Sequence, residues 1–93
     1  MIKATIYIDE PKFDDLKECF IGGFADTIAT IENGKIMYEL YIDDGRLTCY
    51  ECEHIEDAGY NGYQTVNETD ASYIMDESET LEDFVMHVFR LMM

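Results

Sequence analysis

Two dipeptides, Asn33-Gly34 and Asp44-Gly45, constrain this chain more than any other feature in it. A two-residue hairpin loop needs left-handed backbone, and Gly, Asn and Asp adopt it at the least steric cost. Both dipeptides sit inside a run of apolar–polar alternation, so Phe24 to Glu53 reads as a three-strand antiparallel meander. A loop made of Asn33-Gly34 sets Glu32 opposite Lys35, Ile31 opposite Ile36, Ala29 opposite Tyr38 and Thr27 opposite Leu40. The second loop sets Asp43 opposite Arg46, Ile42 opposite Leu47 and Leu40 opposite Cys49. Side chains alternate along a strand, so one face collects Ala29, Ile31, Ile36, Tyr38, Leu40, Ile42, Leu47 and Cys49, the expected core. The other face carries Asp26, Glu32, Lys35, Glu39, Tyr41, Asp43, Arg46, Thr48 and Tyr50. A slip of one residue would send the whole apolar set to water. Cys49 and Cys52 fall on opposite faces.

Elements flank the meander on both sides. Ile2, Ala4, Ile6 and Ile8 alternate with Lys3, Thr5, Tyr7 and Asp9, the pattern of a half-buried strand. Asp9-Glu10-Pro11 suits a helix start, with Phe13, Leu16 and Phe20 at helical spacing and Gly22-Gly23 as the stop. Near the C-terminus, Leu81, Phe84, Val85, Val88 and Met92 form the stripe of a helix over about Leu81 to Met92. Thr80 is placed to cap it, with Asp83 completing an approximate capping box. Residues 54–78 read as loops, marked by Gly59 and Gly62, with Tyr63–Val66 and Ser72–Met75 as short strands of a further hairpin. The expected fold class is α+β: an antiparallel sheet in the order β-α-β-β-β, loop, α, with helices packed on one face.

The 93 residues suffice for one domain (1–93) with one modest core. No apolar run approaches the roughly 20 residues of a membrane span. The opening MIKATIYIDE turns acidic too early for a signal peptide. Three unevenly spaced cysteines argue against a disulfide framework and for a reducing cytoplasm.

Charge is the outlier, with 21 acidic residues against 6 basic ones and a net of −15. Residues 51–93 hold eleven of the acids and one base, and no Lys or Arg lies between Leu47 and Phe89. Such a chain repels nucleic acid and anionic membranes and attracts basic proteins. Two clusters stand out: Glu51, Glu53, Glu56 and Asp57, then Asp70, Asp76, Glu77, Glu79, Glu82 and Asp83. Tyr50, Tyr60, Tyr63 and Tyr73 are interleaved with them. Glu51 and Glu53 on one face of a strand would stand about 6.7 Å apart, and helical neighbours about 5–6 Å apart. Duplex DNA carries a phosphate every ~3.4 Å of rise on each strand. Carboxylates at such spacings on a folded surface can act as a decoy for a nucleic-acid-binding protein, with tyrosines as rigid contacts. The bland alternative is a solvated face that keeps a small protein soluble.

Other chemistry has thinner support. Cys49-Tyr50-Glu51-Cys52 with His54 is a C-x-x-C, and Cys19 and His87 could complete a tetrahedral zinc set. On a strand, however, the two cysteines diverge, and a redox pair favours a helix N-terminus. Cys49 then reads as a core residue, and no metal or cofactor is expected. Asp70–Glu82 lacks the central Gly and the alternation of a calcium loop. No Ser/His/Asp spacing or glycine-rich phosphate loop is present, so the chain reads as non-enzymatic.

In size, charge, α+β build and acidic clusters such as Glu51, Glu53, Glu56, Asp57 and Asp76, Glu77, Glu79, the chain resembles the small acidic inhibitors of phages and mobile elements. These are the anti-CRISPR proteins and antirestriction DNA mimics. The resemblance covers the whole chain in character and carries no motif. It implies a basic nucleic-acid-binding partner, a CRISPR effector or restriction enzyme, blocked where nucleic acid should sit. Toxin-immunity proteins look similar, with a toxin nuclease as partner. The expected contact set is the acids of both clusters with Tyr60, Tyr63 and Tyr73. A small metal-binding or redox protein and a homodimeric accessory subunit are the remaining alternatives.

Overall fold

Among the described residues, five antiparallel strands in sequential order form one sheet, accompanied by three helices. The computed structural model describes residues 2–18, 25–43, 45–57 and 60–92, apart from the side chains of Glu18, Glu56, Asp57, Tyr60 and Asn61. Strand β1 (Ile2–Ile6) leads into helix α1 (Glu10–Glu18). Strands β2 (Ala25–Asn33), β3 (Ile36–Asp43), β4 (Arg46–Asp57) and β5 (Tyr60–Asp70) follow. The chain ends in α2 (Ser72–Glu77) and α3 (Leu81–Arg90). The α+β class and the meander stand as read from the sequence, within a larger sheet.

The second hairpin has the expected register, with Asp43 on Arg46, Ile42 on Leu47 and Leu40 on Cys49. The first does not. Asn33 pairs with Ile36, Ile31 with Tyr38 and Ala29 with Leu40, so Gly34-Lys35 is the loop. Gly34 takes φ 65°, at the first central position that hairpins reserve for glycine. From Ala29 to Asn33 the partner shift is two residues, so those side chains keep their face, whereas Thr27 lies opposite Tyr41 instead of Leu40. Glu32 loses Lys35 as a cross-strand neighbour and lies opposite Lys3 of β1 instead.

Within the meander, strict alternation fails at one position. The β2–β3 register shifts between Thr27 and Ala29, and the extra residue, Ile28, is fully buried beside Ala29. A bulge lets two consecutive side chains reach the same side. Its carbonyl accepts the Tyr7 N–H at 2.9 Å, which carries the β1 pairing past the irregularity.

The core joins Ile28, Ala29, Ile31, Leu40, Ile42, Leu47 and Cys49 of the sheet to side chains from all three helices. The helices contribute Phe13 and Leu16, Ile74 and Met75, and Phe84 and Val88. Phe13 and Phe84 meet at 5.6 Å between ring centroids, tilted by 47°, and tie α1 to α3. Asp9 Oδ1 accepts the Lys12 N–H at 2.9 Å and caps α1. At α3, Thr80 Oγ1 accepts the Asp83 N–H while Asp83 Oδ2 accepts the Glu79 N–H, each at 3.2 Å. The helix-stop glycines and Phe20 lie outside the described residues.

Residues 54–78 differ most from expectation. Strand β4 runs on to Asp57, and Tyr63–Val66 lies within an eleven-residue β5, where Gly62 pairs with Ile55. Ser72–Met75 is not a strand but the start of α2. Ile74 and Met75 are consecutive and both buried, which alternation forbids and a helical turn allows. Asp70 Oδ1 accepts the Ser72 N–H at 2.9 Å, and Ser72 Oγ accepts the Leu47 N–H at 3.1 Å, so the turn into α2 is stitched to β4.

Replacing Ile28 by Ala should cost about 2–5 kcal/mol in urea unfolding, as expected for a buried cavity. Were Ile28 on the surface, as strict alternation would have it, the cost would stay within about 0.5 kcal/mol.

Candidate partner-binding surface

The expected contact residues do not form one cluster. Glu51 and Glu53 lie on the core side of the sheet where β3 and β4 run out beyond the core. Tyr38 O–H donates to Glu51 Oε1 at 3.4 Å, and Glu53 is exposed opposite the exposed Ile36. Burial first, then the Glu51 charge, pushes the Tyr38 phenol above its ordinary pKa. Glu56 and Asp57 end β4, opposite Asn61 and Tyr60, and the side chains of Glu56, Asp57 and Tyr60 lie outside the described residues. The second group gathers at the other end of the hairpin. Tyr73, Asp76 and Glu77 are exposed on α2, Glu79 follows it, and Glu82 and Asp83 occupy the first turn of α3. Asp70, level with Thr48, belongs to this end. From Thr48 to Glu56 is about 27 Å of extended strand, and the molecule measures 45 × 28 × 21 Å. The two clusters therefore mark opposite ends of a rod rather than one patch.

Between them lies the sheet face opposite the core. One row crosses all five strands: Thr5, Thr30, Glu39, Tyr50 and Glu68. The next row holds Thr27, Tyr41, Thr48 and Asp70. Tyr41 and Tyr50 pack edge to face at 6.3 Å, in a depression they share with Asp43, Arg46 and Thr48. Thr27 O–H donates to Glu39 Oε1 at 3.2 Å and holds that carboxylate beside the tyrosines. Desolvation first, then Glu68, Tyr41, Glu39 and Asp43, raises the Tyr50 phenol above its ordinary pKa. Further along, Tyr63 stacks edge-on against His54 at 5.3 Å. Alternation places Glu39, Tyr41, Asp43 and Tyr50 on this face, but the group is completed by a fifth residue, Glu68, which lies in the stretch read as loop.

The cysteines diverge. Cys49 joins the core, while Cys52 is buried outside the core cluster, its Sγ 3.8 Å from Thr65 Oγ1. Burial first, then Cys52 and Glu51, lifts the Cys49 thiol to about 11. Among the described residues no three His, Cys, Asp or Glu side chains converge as metal ligands.

The fold does bring Ser78, His87 and Glu77 together, a trio the sequence spacing did not reveal. His87 Nδ1 lies 2.8 Å from the Asp83 carbonyl and 3.2 Å from Ser78 Oγ, and Nε2 lies 3.5 Å from Glu77 Oε2. The carbonyl contact places the Nδ1 proton there. Ser78 is fully buried, and its hydroxyl donates to the Ile74 carbonyl at 2.6 Å. A hydroxyl so committed, facing a protonated nitrogen and closed to substrate, is no nucleophile. The trio is a clasp holding α2 against α3.

No family model, curated protein or solved structure matches the chain. No helix among the described residues is long and apolar enough to cross a membrane.

Two predictions follow from these environments. Cys49 should resist disulfide-exchange reagents at pH 8 in the folded protein and react on unfolding, read as thiol release against urea. Hydrogen bonds from the Ser72 backbone and hydroxyl, outweighing some desolvation and helped by Arg46, lower the Asp70 carboxyl pKa. A lowered folded value gives stability that is present above the ordinary aspartate range and lost as pH falls through the folded value. The stability gap between wild type and Asp70→Asn should therefore be widest near neutrality and close in acid, as urea midpoints across pH will report.

Proposed function

We propose that this protein is a non-enzymatic acidic inhibitor that occupies the cationic nucleic-acid-binding groove of another protein in the cytoplasm. A host defence nuclease, such as a CRISPR effector or restriction enzyme, is the partner this chemistry fits. The observation that carries the reading is the distribution of charge over a stiff frame. Carboxylates stand at both ends of a 45 Å molecule and on the sheet face between them, and after Arg46 the chain's one further base is Arg90. A net of −15 exceeds what solubility asks of a small domain, where a magnitude of about 2–8 suffices.

An antiparallel sheet holds its side chains at fixed spacings, about 4.8 Å between strands and about 6.7 Å along one face of a strand. Carboxylates on such a frame meet a row of lysines and arginines without the ordering cost of a flexible acidic tail. Attraction of this kind speeds association and weakens steeply with salt.

The test is inhibition of purified nucleic-acid enzymes, with binding challenged by duplex DNA. Competition by DNA and a fall in affinity between 50 and 300 mM salt, by roughly tenfold or more, are expected. Reversing the acids at either end, Glu56→Lys with Asp57→Lys or Asp76→Lys with Glu79→Lys, should weaken binding while the circular dichroism spectrum stays unchanged. Inhibition that DNA cannot compete away would refute groove occupancy.

A further inference from the structure

We infer that the sheet face opposite the core docks an arginine-bearing segment of a basic protein, with one guanidinium seated over Tyr50. The inference deepens the inhibitor reading and rests on it for the partner's charge. The face carries Glu32, Glu39, Asp43, Glu68 and Asp70 against Lys3 and Arg46, so its complement is cationic. Its centre is aromatic rather than merely acidic. Tyr41 and Tyr50 meet edge to face at 6.3 Å, and no side chain of this face belongs to the core cluster.

The row Glu39–Tyr50–Glu68 supplies the geometry. The two glutamates are two strands apart, about 10 Å between their backbones, with the phenol ring between them. A cation above that ring lies within side-chain reach of both carboxylates. Glu39 is already oriented by Thr27, so less side-chain freedom is lost on binding.

Guanidinium fits better than ammonium. It is planar, stacks on aromatic faces, is weakly hydrated, and presents forked donors to more than one carboxylate. Arg46 stands opposite Asp43 and lines the depression that holds Tyr41 and Tyr50.

The probe is an acetylated arginine hexamer, with the lysine hexamer as its control. Each is titrated into the full-length, isotope-labelled protein and followed by amide chemical shifts. The arginine peptide should bind about three- to tenfold tighter, with the largest shifts at residues 39, 41, 43, 50 and 68. Tyr50→Ala should abolish the preference for arginine. Glu68→Gln, a change at an exposed residue, should weaken both peptides, and the amide spectrum of each variant reports whether it is folded. Equal affinity for the two peptides, shifts confined to Glu53 and Asp76–Asp83, or no binding would each overturn the proposal. The peptides report on this face without any target enzyme. A protein that binds arginine here but inhibits no nucleic-acid enzyme would sink the inhibitor reading alone, and the reverse result would sink only this one.

Discussion

A sheet with period-two alternation must put its apolar residues on one side and everything else on the other, and the remaining structure depends on that partition. One side of this sheet seals against Phe13, Leu16, Ile74, Met75, Phe84 and Val88. The other receives the polar half of each strand, and in this chain that half is acidic and rich in tyrosine. Core and candidate surface are two readings of the same strands. A change of strand register by one residue would destroy both together.

The partition also explains how so acidic a chain folds. Like charges on one small body repel one another, and the frame spreads them out. The carboxylates divide among the two ends, the outer face and the exposed side of α1, which carries Glu10, Asp14 and Asp15. Several are put to structural use: Asp9 and Asp83 at helix starts, Asp70 at the turn into α2, and Glu39 beside Thr27. Acids near helix N-termini lie where the helix dipole favours them. Of the acids expected to contact a partner, Asp70 and Asp83 are thus partly spent on the fold, while Glu53, Asp76, Glu77, Glu79 and Glu82 are exposed.

Where one local rule dominated, the chain was legible. The two glycine turns revealed the meander, and alternation assigned its residues to a face up to the bulge at Ile28, beyond which Thr27 lies opposite Tyr41 instead of Leu40. The α3 stripe was correct because Leu81, Phe84, Val85 and Val88 obey a single period and Thr80 marks the start. The misreadings arose where two rules compete. Asn33-Gly34 satisfies a hairpin loop in either of two frames, and the ladder chose Gly34-Lys35. Ile28 turns inward through a bulge that leaves no local trace. The short apolar run Tyr73-Ile74-Met75 fits a strand as well as a helix, yet Ile74 and Met75 are buried together against the sheet in a helix anchored by Asp70 and Ser72. The acidic clusters were legible in composition but not in place, since residues close in sequence at 70–83 and 51–57 stand at opposite ends of the hairpin.

The outermost strand carries a consequence of its own. Strand β5 runs for eleven residues along the border of the sheet, exposed from Gln64 to Asp70, and includes neither lysine nor proline. A long open border of this kind is a template on which another strand can add itself. Here the shift in register opposite Glu51 and Cys52 interrupts the template, and Glu68 and Asp70 repel a second copy of it. The charge that would draw in a cationic partner thus also opposes the pairing of this border with a second copy of itself. Acid or concentrated salt, by neutralising or screening those carboxylates, removes a barrier to growth of the sheet from one molecule into the next.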